Sequence, residues 1–444
     1  MPEDMLAVWM DGFKRPAGYL TRGAAADTAF VYDDDYAAAG GLALSLALPL
    51  DQGEFGGLAT RAFFANLLPE NTQLQRIMER EGLDRGDVVG LLRHLGADCA
   101  GAISCLPLES PPVKTPGVLE EDYDLLDDRT LVKIVRSLQE ERRLPAEVDD
   151  PSPVAGVQSK IALTVLPGRR FALPRHGLRV PTTHILKVPQ RGQGREARLE
   201  EAAALLAAAA GLDVSVPEAL KVDDMDALLI ERFDRKVEDG IVSRIHQEDF
   251  AQALGLPSEL KYQRRGKPGR RFDVEAIVSV LDRTANPVGA RIAFLRATLL
   301  NLCIGNTDNH AKNHGLLYDA GATPRLAPLY DLLPIRMSNR YTHELAFNIG
   351  QATFFDEMTA EDLAAFFEAF GVADLPDFVE TVAAPLVAAL EAATPRLRSM
   401  NLKPFDDLIG RETERLVETL SLAIAVRERD YFPYEEKTGW GTGS

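Results

Sequence analysis

The sequence predicts an α+β protein of two lobes, a small strand-rich lobe followed by a mostly helical C-terminal lobe, with a mixed α/β subdomain added in front. Three observations carry that expectation. Short apolar runs bounded by Pro and Gly fill residues 159–230 in the order strand, strand, helix, strand. Apolar residues return at helical spacing through much of 236–444. A proline-rich stretch with Pro107, Pro111, Pro112 and Pro116 reads as a linker. The expected domains are therefore 1–112, 113–235 and 236–444.

In chain order, the apolar run 6–10 reads as a strand closed by the turn signal Asp11-Gly12, and 29–32 as another strand. An apolar helix around Phe63 and Phe64 is expected to stop at Pro69. Past the linker, strands are predicted over 159–165 and 184–188, with Pro167-Gly168 as a turn between them. An alanine-rich helix follows over 195–210 with Gly211 as its C-cap, then a strand at 228–230. In the last third, Ile292, Leu295, Leu299 and Leu302 recur on one helical face, Thr359 with Glu361 and Asp362 caps a helix over 363–370, and a long helix is expected over 405–428. The alanine run 202–210 is the one low-complexity stretch, and no internal repeat is seen.

Composition narrows the function. With 444 residues, 46 % apolar and 26 % charged, the chain has the means to bury sizeable cores and is not a disordered type. A formal net charge of −18 argues against a surface that grips nucleic acid by itself, because such binding rests on Lys and Arg neutralising phosphates. One basic patch stands out: Lys261, Arg264, Arg265, Lys267, Arg270 and Arg271 sit among Gly and Pro, either as a solvated loop or as a contact for an acidic partner, substrate or phosphate. Cys99, Cys105 and Cys303 are odd in number and lack metal-ligand spacing, which fits a reducing cytoplasm. The start carries Glu3 and Asp4, and no run approaches the roughly 18 uncharged apolar residues that span a bilayer, so a cytoplasmic protein with no membrane partner is expected.

The chemistry concentrates in the stretch from Gly305 to Asn313. Asp308 stands five residues before Asn313, the spacing at which a kinase catalytic loop sets a carboxylate and a metal-binding amide. A bare pair of this kind is common in loops. Here it is followed by Asp331 and preceded by Lys187 in the strand-like run 183–189, so four parts of a phosphoryl-transfer site stand in the required order. Asp308 would orient the acceptor hydroxyl, Asn313 and Asp331 would hold Mg2+ through oxygen, and Lys187 would pair the α- and β-phosphates of ATP. Taken alone, Lys187 reads as an ordinary edge-strand lysine. No G-x-G-x-x-G precedes it; the nearest phosphate-loop candidate is Val154-Ala155-Gly156-Val157-Gln158-Ser159-Lys160. His310 and His314 stand four apart and could share a helical face around zinc, but Ala311 occupies the position of the glutamate that such a site needs as base.

These residues together resemble the HipA toxin kinases of bacterial toxin–antitoxin systems. The resemblance is carried, in order, by 154–160, 182–187, Ile230-Glu231-Arg232-Phe233-Asp234-Arg235, 306–313 and Pro328-Leu329-Tyr330-Asp331, and in the N-terminal part by 8–10, 44–46 and 66–69. It implies an ATP- and Mg2+-dependent serine/threonine protein kinase with a two-lobed, protein-kinase-like core. Asp308 would be the catalytic aspartate, Asn313 and Asp331 the metal ligands and Lys187 the ATP lysine. Val154, Ala155, Gly156, Val157 and Gln158 would bind phosphate, Glu231 and Phe233 would meet adenine through their backbone, and His310 would face the phosphates. The resemblance further implies restraint by a small helix-turn-helix antitoxin, with DNA reached only through it, and a translation component such as an aminoacyl-tRNA synthetase as protein substrate. One departure stands out. Where the family carries an autophosphorylated serine directly before Val-Ala-Gly, this chain has Pro153, leaving Ser152 or Ser159 as substitutes. A small-molecule phosphotransferase and a catalytically silent antitoxin-binding scaffold remain the alternatives.

Overall fold

The computed structural model describes residues 4–23, 27–69, 72–110, 116–145, 147–148, 158–319 and 321–429. They fall into two compact units. The first comprises Met1–Ala197, Pro217–Ser258 and Gly315–Arg325; the second comprises Arg198–Val216, Glu259–His314 and Leu326–Ser444. The fold is α+β.

The first unit opens with a five-stranded antiparallel sheet built from β1 (Met5–Met10), β2 (Gly18–Arg22), β3 (Thr28–Tyr32), β4 (Glu54–Phe55) and β5 (Ile103–Pro107), in the order β4-β3-β2-β1-β5. The helices Gly57–Ala65 and Val88–Leu95 supply Phe63, Phe64, Leu91 and Leu92 to a core shared with Leu6, Val8, Leu20 and Phe30. The first of these helices ends at Asn66, before the expected stop at Pro69, because the side chain of Asn66 folds back onto Ala62 O and reaches Leu256 O.

Short strands follow: β6 (Gly117–Val118), β7 (Tyr123–Leu125), β8 (Lys160–Leu166), β9 (Arg170–Pro174), β10 (His184–Lys187), β11 (Glu218–Val222), β12 (Met225–Glu231), β13 (Arg235–Glu238), β14 (Ile241–Arg244), β15 (His246–Asp249) and β16 (Gly315–Tyr318). Six of them make a sheet in the order β11-β12-β10-β8-β9-β7. Helix Asp128–Glu140 covers it with Leu131, Ile134, Val135 and Leu138 against Ile161, Leu163, Leu186 and Leu229. The Pro167-Gly168 turn joins β8 to β9 rather than to the lysine strand, since β9 intervenes. Strands β13 to β16 add short pieces of sheet to the stretch beyond 236, whose regular structure is otherwise mostly helical. All four are four residues long, and β13 to β15 carry charges, as in Arg235-Lys236-Val237-Glu238, so no apolar alternation announces them.

Three buried polar nodes tie the N-terminal sheet to β13–β16. Arg244 donates to Asp11 at 2.5 and 2.6 Å, to Asp98 and Ser104 at 3.1 Å and to Ile103 O at 3.0 Å, so its whole fork is used. Asp234 accepts both arms of Arg232 at 2.9 Å and the backbone N–H of Gly101 at 3.2 Å. Burial pushes the Asp234 carboxyl up, but the charges of Arg232 and Arg235 outweigh it and hold the group far below the usual carboxylate range. Gly101 has φ +68°, and a Cβ there would sit 2.6 Å from Gln247 N, so glycine is required for this approach. The third node is Glu248, which accepts from Ser45 Oγ and Tyr318 OH at 2.5 Å and from Leu46 N at 2.9 Å.

In the second unit, helix Pro287–Ile304 packs against Lys403–Leu420 and Ala384–Ala393. By length and composition it could cross a bilayer, as could Leu375–Ser399, yet most of it is buried inside the protein. Its last eight residues are buried on every side, a wider surface than the predicted stripe. Its Phe294 packs on Phe347 and Phe370, which Phe366 joins. Helix Ala360–Ala369 starts in the expected place, with a reciprocal Thr359–Asp362 capping box. The last helix ends at Leu420, short of the expected 428. Beyond it, Arg427 and Arg429 bind the buried Asp406 at 2.5 and 3.0 Å, and Arg429 also binds Glu391 at 2.8 Å; tertiary ion pairs override helical propensity.

Burial drives the Glu248 carboxyl up to about 7 despite its three donors. A raised folded-state value means the native protein holds this proton more tightly than the unfolded chain. Its stabilising contribution is therefore complete below about 4.5 and is lost as pH rises towards 7. Urea unfolding at a series of pH values is expected to show the wild type losing stability over that window relative to Glu248→Gln, and equal slopes for the two proteins would contradict this.

Candidate functional site

The loop that carries Asp308 is made by the way its helix stops. Gly305 adopts the left-handed conformation at φ +68°, and its N–H closes on Leu302 O at 3.1 Å. A Cβ here would lie 2.9 Å from Leu408 Cδ2 and 3.2 Å from Arg336 Cβ, so neither the φ nor the space suits another residue. The carbonyl of Gly305 accepts from Arg336 N at 3.0 Å. Asn306 then turns the chain: its N–H and side-chain amide bond Asn301 at 2.8 and 2.9 Å, and its Oδ1 accepts the N–H of Asp308 at 3.1 Å.

Asp308 and Asn313 are locked to each other. Asn313 Nδ2 donates to Asp308 O at 2.7 Å, which orients the amide so that Oδ1 faces away from that bond. Between them, His310 precedes a short 3-10 turn, Ala311–Asn313. The loop is also held from outside: Ala311 N donates to Lys261 O at 3.1 Å, and Tyr262 OH donates to Asp308 Oδ1 at 2.5 Å. The Tyr262 ring stands edge-on to His310 and beneath the Arg264 guanidinium, 4.1 Å from its centroid.

Asp331 belongs to the same unit. Leu329 bonds Asp213 O and Ser215 N at 2.9 Å each, and Tyr330 OH donates to Lys312 O at 2.8 Å, so the residues just before Asp331 are tied to the Asp308 loop. Asp331 itself takes a left-handed φ of +57°, costly for a residue with a Cβ and characteristic of constrained functional positions. Burial raises the Asp308 carboxyl and the Asp331 charge raises it further, while the Tyr262 hydrogen bond and Lys261 oppose the rise. Burial, with help from Lys261, pushes His310 down to about 3, so its ring is neutral. Among the described residues, Thr307 Oγ1 and His310 Nδ1 are buried without a protein partner, and such orphans are satisfied by water or ligand.

The remaining sequence-predicted residues lie in the first unit. Lys187 ends β10, which is flanked by β8 and β12; it is a central-strand lysine, not an edge one. Directly opposite it on β8 stands Lys160. Ser159 leads into β8, with its carbonyl accepting from Val188 N at 2.8 Å, and Gln158 precedes it, half-buried. Glu231 ends β12 opposite His184, at the other end of the ladder from Lys187, and Phe233 follows half-buried. Ser152, Pro153, Val154, Ala155, Gly156 and Val157 lie outside the described residues. His310 and His314 do not share a helical face: the first precedes the short turn and the second packs on Phe294 and Phe272, so the zinc arrangement is not formed. Tyr262 escapes a motif-based reading; the aromatic embedded in the basic patch is the signal that could have drawn attention to it.

The comparisons with known proteins show the family. The family profile described as "HipA-like C-terminal domain" matches residues 152–394, and the one described as "HipA N-terminal domain" matches residues 6–106. The chain is 36 % identical over 374 residues to "Putative kinase Y4mE" of Sinorhizobium fredii, covering 83 % of this chain and 86 % of that protein. It is 32 % identical over 372 residues to "Serine/threonine-protein kinase toxin HipA" of Shewanella oneidensis, covering 80 % and 81 % respectively. A solved complex of the Shewanella oneidensis toxin–antitoxin system, HipA, HipB and its operator DNA, contains a chain that matches with a TM-score of 0.75 at 26 % identity, covering 94 % of this chain and 96 % of that one.

Gly305→Ala forces a side chain into both the left-handed φ and the Leu408 contact. It is expected to cost about 1–3 kcal/mol of stability in urea unfolding; an unchanged midpoint would show that the turn tolerates a Cβ.

Proposed function

We propose, from the premise that this chain belongs to the HipA family of serine/threonine-protein kinase toxins, that it moves the γ-phosphate of ATP, with Mg2+, onto a serine or threonine hydroxyl of a translation component such as an aminoacyl-tRNA synthetase. Phosphoryl transfer demands positioning and charge compensation more than covalent help from protein, so each proposed role is a matter of which atoms are offered where.

In this reading Asp308 orients the acceptor hydroxyl and takes its proton as the bond to phosphorus forms. The observation that carries it is the Tyr262 phenol, a hydroxyl that already donates to Asp308 Oδ1 at 2.5 Å. Asn313 Oδ1 and the carboxylate of Asp331 offer oxygen ligands that suit Mg2+, and the buried orphan atoms of Thr307 and His310 add unfilled polar capacity in the same loop. Bound Mg2+ would neutralise charge on the phosphate oxygens. Lys187, with Lys160 opposite, supplies cations for the α- and β-phosphates, and Val154, Ala155, Gly156, Val157 and Gln158 are the proposed phosphate-binding residues. Neutral His310 adds a contact to the nucleotide, and Glu231 and Phe233 offer backbone groups to adenine.

The Shewanella oneidensis toxin was solved with HipB and operator DNA, and we extend that pairing to this chain: a small helix-turn-helix antitoxin restrains it and reaches DNA on its behalf. The charge of −18 fits, since such a chain neutralises few DNA phosphates alone. Pro153 has no hydroxyl to phosphorylate, so self-inactivation falls to Ser152 or Ser159 in this reading.

Expression of the wild type is expected to arrest growth and to add phosphosites on a translation protein, with Asp308→Ala abolishing the arrest and lowering transfer by about 10²-fold or more. Paired phosphoproteomes check this. New phosphosites of equal intensity in the Asp308→Ala cells would overturn it.

A further inference from the structure

The basic stretch 261–271 contains six cations and no acid in a chain whose net charge is −18. It is not a free-standing solvated loop. Its first residue accepts the Ala311 N–H of the Asp308 loop at 3.1 Å, its second bonds Asp308 itself at 2.5 Å, and Gln263 Oε1 accepts Asn348 N at 2.8 Å. A tight turn then carries the chain round, with Arg270 N donating to Lys267 O at 2.8 Å. Arg264 and Arg271 spend their charge locally, on Glu344 and Asp273. Lys267 is exposed and Arg270 half-buried, and among the described residues neither meets a carboxylate. A cationic strip fastened at its start to the Asp308 loop, with charges left unpaired at its turn, is a standing attraction for an anion.

Tyr262 says where that anion comes from. Its phenol occupies the place on Asp308 that an acceptor hydroxyl needs, so an incoming serine or threonine must displace it, and the substrate chain that carries this residue then runs along the segment that carries Tyr262. We propose that residues 261–271 are a docking strip for an acidic stretch of the protein substrate, read by Lys267 and Arg270 beside the phosphoacceptor, with Tyr262 holding the acceptor position until the substrate arrives. This rests on the kinase reading of Asp308. It adds a selection rule: acceptors flanked by Asp or Glu are preferred.

The test uses the purified full chain and fluorescein-labelled peptides holding a single serine flanked by glutamates, by alanines or by lysines. Anisotropy is read without ATP, so docking is scored separately from phosphoryl transfer. The glutamate peptide is expected to bind about tenfold tighter than the alanine peptide at low salt, with the difference shrinking at about 0.5 M salt. Lys267→Glu with Arg270→Glu is expected to reverse the order, so that the lysine peptide binds best. With ATP and Mg2+, the ratio of kcat/KM between glutamate and alanine peptides should follow the same pattern. Equal binding of the three peptides, an order unaffected by the charge reversal, or tighter binding of poly(U) than of the glutamate peptide would each overturn the proposal.

Discussion

The left-handed turn at Gly305 is the constraint on which the candidate site hangs. Helix Pro287–Ile304 is buried along its last two turns, so its direction is not adjustable, and the chain must leave it abruptly. Glycine permits that exit, Leu408 and Arg336 close over the space a side chain would need, and Asn306 converts the exit into a loop through its bonds to Asn301 and to Asp308 N. Each later contact presupposes it. Asn313 can hold Asp308 O, Tyr262 can reach Asp308 Oδ1 and Tyr330 can reach Lys312 O because the loop's path is already set. Rigid support of this kind suits a reaction whose barrier is lowered by placing charges rather than by making bonds to protein.

The first unit solves a different problem with the same economy. Its N-terminal sheet meets β13–β16 through buried charge, and buried charge is tolerable when every group is paired. Arg244 bridges two carboxylates, Asp234 sits between two arginines, and Glu248 is held by three donors. Breaking one partner in such a cluster costs more than the cluster adds over an apolar replacement. The junction is therefore specific rather than simply adhesive. The Glu231-to-Arg235 motif shows both uses in one stretch: Glu231 and Phe233 stay accessible at the end of β12, while Arg232, Asp234 and Arg235 turn inward.

What could be read from the sequence was what is local. The Asp308 to Asn313 spacing, the Thr359 cap, the strand before Lys187 and the α+β class all depend on neighbours a few residues away, and the structure has them. Non-local partners were out of reach. Nothing near Tyr262 announces that it bonds a carboxylate 46 positions on, nor does anything near Arg244 point to Asp11 or Asp98. The last helix stops at Leu420 rather than 428, and the partners that hold Arg427 and Arg429 beyond it, Asp406 and Glu391, lie 21 to 38 residues back. Lys187 could be assigned to a strand by its apolar neighbours, but its central place depends on which strands pair with it, and that is a property of the whole sheet. The resemblance to the HipA kinases bridged part of this gap, because a family pattern encodes tertiary neighbours that single-chain periodicity does not.

The most direct measurement separates nucleotide binding from transfer in Asp308→Asn, which keeps the shape of the side chain and removes its charge. Single-turnover transfer of γ-phosphate and equilibrium binding of ATP with Mg2+ are measured on the same protein. If Asp308 orients the acceptor, binding stays within about tenfold of wild type while transfer falls by about 10³-fold or more. Transfer at the wild-type rate would contradict the assignment of Asp308 and, with it, the reading of the loop that Gly305 holds in place.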